Sequence, residues 1–143
     1  MRTMNDLLHE LDVCGITYEL KDSPLSGDKN KYVTVNFRGV DVGVDFADLE
    51  GECFSNWQKD GQPIYTTSIS NDCMESVFRE LTEPVNYMGR CLESSKRAQA
   101  RAKAKKTRCE KKDDYYGAMS ADREIARCER NKNLCMKVVN SFN

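Results

Sequence analysis

The chain has 143 residues, 39% of them hydrophobic and 31% charged, with a formal net charge of −1. That length suits one modest core with an appended helical element, and no apolar run reaches the roughly 18 residues that would span a bilayer. The small net charge conceals a division: residues 1–95 carry 8 Lys+Arg against 17 Asp+Glu, and residues 96–143 carry 14 against 6, giving −9 and +8.

The seven cysteines, at positions 14, 53, 73, 91, 109, 128 and 135, are odd in number and irregular in spacing. Residues 1–10 lack the apolar stretch of a signal peptide, so reduced thiols in the cytoplasm are the expectation, the host cytoplasm if the chain is viral. No C-x-x-C occurs and His9 is the lone histidine, so neither a zinc site nor any other cofactor is implied.

In chain order, residues 5–14 read as a helix with Leu7, Leu8 and Leu11 on one face, Asn5 as its cap and Gly15 ending it. A weak strand is expected over 16–20, then a loop over 22–28. Residues 31–37 and 40–46 alternate apolar and polar around Arg38-Gly39, a hairpin turn. Pairing across it sets Phe37 opposite Val40, Val35 opposite Val42 and Val33 opposite Val44, all on one face. Residues 47–61 read as irregular and acidic, and 63–69 as a further strand rich in β-branched residues. A helix starts at Asp72, with Glu75 as its capping-box partner and Met74, Val77, Phe78 and Leu81 facing the sheet.

Pro84 lies just inside the next helix, which runs to about Tyr116, roughly thirty residues or ~45 Å. Gly117 is its expected end and Ser120 the cap of a last helix. Ile125, Cys128, Lys132, Cys135, Val139 and Phe142 step along that helix as a coiled-coil seam. Met88, Cys91, Ser95, Ala98, Ala102, Cys109 and Tyr116 form the facing strip, and a bend at Gly117 would set Cys109 near Cys128. The expected fold class is therefore α+β: a small antiparallel sheet with packed helices over 1–83, then an antiparallel helical hairpin over 84–143.

Chemistry concentrates in residues 96–112, where nine Lys or Arg accompany one Glu. On a helix, Arg97, Arg101, Lys105, Arg108 and Lys112 fall within an arc of about 80°. Such a stripe suits a phosphate backbone, whose counterions are released on binding. No aromatic residue interleaves the basic ones, so phosphate contact rather than base stacking is expected of this helix. The competing reading is a solvated stripe that offsets the acidic part of the chain.

Asp41 and Asp45 sit opposite the valine face, where a hard cation, an acidic docking surface or plain solvation are the alternatives. Asp48, Glu50 and Glu52 with Phe54 and Trp57 form a candidate protein interface; burial of Phe54, Trp57 and Tyr65 in the core is the alternative. No phosphate-cradling glycine loop, G-x-S-x-G or H-E-x-x-H is present. The expectation is a non-enzymatic binding protein that contacts nucleic acid or another polyanion through its basic helix, with a homodimer formed through the C-terminal helices. The alternatives are a protein-interaction module, such as a phage-type inhibitor of a host or partner protein, and a sponge holding a small nucleotide signal at an oligomer interface.

Overall fold

The hairpin around Arg38-Gly39 sets the register of everything built on it. In the computed structural model, which describes residues 3–24, 27–46, 53–69 and 74–142, β2 (Gly27–Phe37) pairs with β3 (Val40–Phe46) in the expected alignment: Phe37 opposite Val40, Val35 opposite Val42, Val33 opposite Val44. Arg38 and Gly39 both take positive φ, 54° and 85°, the twist a two-residue turn between right-twisted strands requires. β1 (Glu19–Ser23), β4 (Cys53–Lys59) and β5 (Gln62–Ile69) complete a five-stranded antiparallel meander in the order β1-β2-β3-β4-β5. Four helices join it: α1 (Met4–Val13), α2 (Met74–Thr82), α3 (Pro84–Lys111) and α4 (Tyr115–Asn140). The class is α+β, and α3 and α4 pack against each other.

Contacts divide the chain into two units, Met1–Val85 with Ser141–Asn143, and Asn86–Asn140. In the first unit Val33, Val35, Val40, Val42 and Val44 are buried on one face of the sheet, together with Phe46, Cys53 and Trp57. α2 lies against β2 and β3, and α1 against α2, bringing Leu7, Leu11, Met74, Val77 and Leu81 into the same core. Each such aliphatic side chain contributes about 1.5–3 kcal/mol by leaving water. Phe142, from the far end of the chain, meets Phe37 and Trp57 edge-on at 5.8 and 6.0 Å. Lys59 Nζ donates to the Ser141 carbonyl at 2.7 Å beside it.

On the opposite face of the sheet Tyr32, Thr34, Asp45 and Asn56 are buried. The Tyr32 ring lies over Gly43, where a Cβ would stand inside the ring, and its hydroxyl donates to the Asn56 carbonyl. Asp45 is almost wholly buried and accepts from Ser23 Oγ, so it is not the solvated strand residue one expectation made it. Asp41 remains half-exposed and accepts from Asn36 Nδ2 at 3.0 Å.

Several local expectations are corrected. Thr3, not Asn5, caps α1, in a capping box with Asp6. Gly15, at φ 71°, does end that helix, and the following Ile16 N–H returns to the Leu11 carbonyl. β1 begins at Glu19 rather than residue 16, and β2 starts at Gly27, four residues before the alternation becomes apolar. β4 occupies a stretch read as irregular. Its core-facing positions are Cys53, Ser55 and Trp57, too mixed to show apolar periodicity, yet Asp60-Gly61, at φ 53° and 76°, makes the same turn as Arg38-Gly39. Asp72 lies outside the described residues.

Candidate functional site

The second unit is built from a helix that its composition favours strongly. Ala, Arg, Lys and Gln, all good helix formers, dominate the stretch from Lys96 to Lys106, and no proline interrupts α3 after Pro84. The helix stops earlier than expected, at Lys111. Asp113 takes the left-handed conformation at φ 54°; its N–H bonds the Glu110 carbonyl and the Asp114 N–H bonds the Cys109 carbonyl at 2.8 Å. This is the Schellman pattern with aspartate in the usual glycine place. Asp114 then caps α4 directly, its Oδ1 accepting from the Gly117 N–H at 3.0 Å. Neither Gly117 nor Ser120 has the expected role: Gly117 lies in the first turn of α4, where it admits Cys109. A Cβ there would come within 2.7 Å of the Cys109 sulfur.

The earlier turn changes the register of the helical pair. Gln99 Nε2 donates to Glu129 Oε2 at 2.6 Å, Lys132 Nζ lies 3.0 Å from the same oxygen, and Lys106 reaches Asp122 at 2.8 Å. The bond from Gln99, followed by that from Lys132, holds the Glu129 carboxyl below its usual pKa. Cys128 therefore stands level with the neighbourhood of Gln99, ten residues or about 15 Å of helix from Cys109, and the expected Cys109–Cys128 approach does not occur. Ala102, Ala121, Cys128, Cys135 and Val138 are buried within the single chain. Val138 takes the place expected of Val139. Tyr116, expected in the seam, is 83% exposed.

This register opens a groove of about 340 Å³ between the two helices. Ala98, Arg101, Ala102, Lys105 and Arg108 line it from α3, and Ser120 and Glu124 from α4. Three of the five stripe residues thus share one concavity. Arg97 is exposed outside this lining, and Lys112 lies beyond the end of α3, exposed at the turn. None of the five side chains forms an ion pair or hydrogen bond among the described residues. Lys96 and Lys106 of the same helix differ: Lys96 pairs with Glu93 at 3.4 Å, and Lys106 pairs with Asp122 and, at 3.8 Å, Glu110. Glu124, the one acid on the groove wall, bonds Arg127 on its own helix at 2.5 Å instead of a cation across the groove. An external anion can therefore neutralise Arg101, Lys105 and Arg108 without displacing an internal partner.

At the tip, Tyr115 and Tyr116 are 70% and 83% exposed and meet edge to face at 6.0 Å. Sequence reasoning ended the basic helix too late to set them beside the groove. The Asp113-Asp114 pair, a stop followed by a cap, was the available signal.

The candidate protein interface is only partly described. Asp48, Glu50 and Glu52 lie outside the described residues. Phe54 is half-buried on β4, and Trp57 is wholly buried. Trp57 Nε1 donates at 2.6 Å to Glu80 Oε1, a carboxylate on α2 that periodicity did not single out. Burial pushes the Glu80 carboxyl up to about pKa 7, against the opposing pull of Ser55 and Trp57. Ser55 Oγ and Glu80 Oε2 are buried and form no hydrogen bond among the described residues. Among those residues no group of three or more His, Cys, Asp or Glu is placed to hold a metal ion.

Comparison of the chain with protein-family models, with curated proteins and with solved structures returned no match. No described helix is long and apolar enough to cross a membrane.

Proposed function

We propose that this chain is a non-enzymatic binding protein whose basic helix contacts a polyanion, with Arg101, Lys105 and Arg108 gripping phosphates in the groove and Arg97 and Lys112 extending the contact at either end. The observation that carries the reading is that Arg101, Lys105 and Arg108 line one groove and none of the five side chains is engaged by an acid among the described residues, while Lys96 and Lys106 of the same helix are. Cations that offset the chain's own acids would be engaged by them. Cys14, Cys109, Cys128 and Cys135 are free thiols, which supports a cytoplasmic setting.

Binding of the full chain to short DNA and RNA across a salt series tests the reading. Each phosphate neutralised contributes about −0.9 to the slope of log K against log salt on duplex DNA and about −0.7 on single strands. Three groove contacts therefore predict a slope near −2 or steeper. Combined Arg101→Gln, Lys105→Gln and Arg108→Gln substitution should flatten it by the same amount. Binding that ignores salt, or no binding at low salt, would overturn the reading.

A further inference from the structure

Tyr116, Ser120 and Glu124 stand at successive four-residue steps on α4, so they share one face of that helix. Ser120 and Glu124 form the α4 wall of the groove, and Tyr116 continues the same row toward the hairpin tip. On the α3 wall, Arg101, Lys105 and Arg108 advance toward that tip in steps of about 6 and 4.5 Å. The contact between Cys109 and Gly117 brings the end of this line beside the first turn of α4. The row of cations thus leads to an exposed aromatic ring.

Tyr116 and its neighbour Tyr115 stand on a hydrogen-bonded turn. The Asp114 cap and the Asp113 turn fix the backbone on which both stand, and the two rings brace each other edge to face. Tyrosine presents a π-face at low entropic cost, and 83% exposure leaves the Tyr116 ring open to a ligand. A polyphosphate offers such a ring nothing to stack on. A duplex keeps its bases paired and stacked within. A single strand offers both phosphates for the cations and an unpaired base for the ring.

We propose that the groove and the tyrosine pair form one site for single-stranded nucleic acid, with phosphates along Arg101, Lys105 and Arg108 and an unpaired base stacked on Tyr116. This rests on the polyanion reading and specifies its ligand. Glu124 disfavours phosphates on the α4 wall and confines them to the α3 side. Stacking on a tyrosine face is tolerant of base identity, so the site binds without strong sequence preference.

The test is fluorescence anisotropy of the full chain with labelled single-stranded DNA, single-stranded RNA, a duplex and an abasic sugar-phosphate strand of equal length. Base-bearing single strands should bind more tightly than the abasic strand and the duplex, and the stronger of DNA and RNA identifies the sugar preferred. Tyr116→Ala should weaken single-strand binding about 5- to 150-fold, the loss expected of one stacked base, and leave the abasic strand unaffected. Tyr116→Phe, which keeps the ring, should bind as the wild type does. The combined groove-cation variant should lose affinity for every strand. Equal affinity for abasic and base-bearing strands, or an unaffected Tyr116→Ala, overturns the stacking site and leaves the polyanion reading standing. Wild-type protein that binds none of the strands overturns both. A Tyr116→Ala variant that changes from dimer to monomer by light scattering while binding is unchanged assigns the tyrosines to self-association and overturns the proposal.

Discussion

Trp57 donates its indole N–H to Glu80 at 2.6 Å in a core that encloses both side chains. The bond satisfies the indole but leaves the second carboxyl oxygen without a partner among the described residues, so the arrangement favours a neutral, protonated Glu80. The carboxyl pKa is about 7 in the folded chain against an ordinary value of 4.5. Between those values the folded state binds the additional proton. The contribution is fully present below pH 4.5 and is lost as pH rises through 7. The difference corresponds to about 3 kcal/mol of stability. Denaturation followed by the fluorescence of Trp57, the sole tryptophan, should show a falling midpoint from pH 5 to pH 8. Glu80→Gln should make this part of the curve nearly flat.

Gly43 is required by the Tyr32 ring above it. Gly43→Ala should destabilise the fold by roughly 1–3 kcal/mol through overpacking. In a Tyr32→Ala background the same substitution should cost little. A double-mutant cycle of denaturation midpoints measures that coupling.

The hairpin turn offers two changes of opposite sign. Asp114→Ala removes the cap of α4 and should cost about 0.5–2 kcal/mol. Asp113→Gly relieves a left-handed non-glycine residue and should raise the thermal midpoint. Calorimetry of the two variants checks both directions.

Adjacent lysines separate the groove from the rest of the helix. Lys105 lines it, while Lys106 is engaged by Asp122. Lys105→Ala should reduce the salt slope of polyanion binding by about one phosphate's worth, and Lys106→Ala should change it much less. Equal effects from the two would show that charge density alone matters.

The β2–β3 register was legible because its valines alternate strictly and a shift of one residue would expose them all. The basic stripe was legible too, since its spacing is a property of any helix. β4 was not: its core-facing row is Cys53, Ser55 and Trp57, and only Asp60-Gly61 marked the strand's end. The buried Glu80 gave no sign, because an acid on an amphipathic helix is ordinarily solvated and only the tertiary partner Trp57 makes it a core residue. The groove depended on where α3 stops. Ending it at Gly117 instead of Lys111 displaced the facing residues by more than a turn, hid the approach of Ser120 and Glu124 to the stripe, and placed Tyr116 in a seam.

The meander has a kinetic consequence. Each strand pairs with its neighbour in sequence, so the sheet has low contact order and can assemble from hairpins without large loop closures. The docking of Ser141 and Phe142 against Lys59, Phe37 and Trp57 is different, because it closes a loop that contains both long helices. Loop closure weakens only slowly with length, so this late contact is attainable, but it belongs to the end of folding. Phe142→Ala should therefore speed unfolding far more than it slows folding.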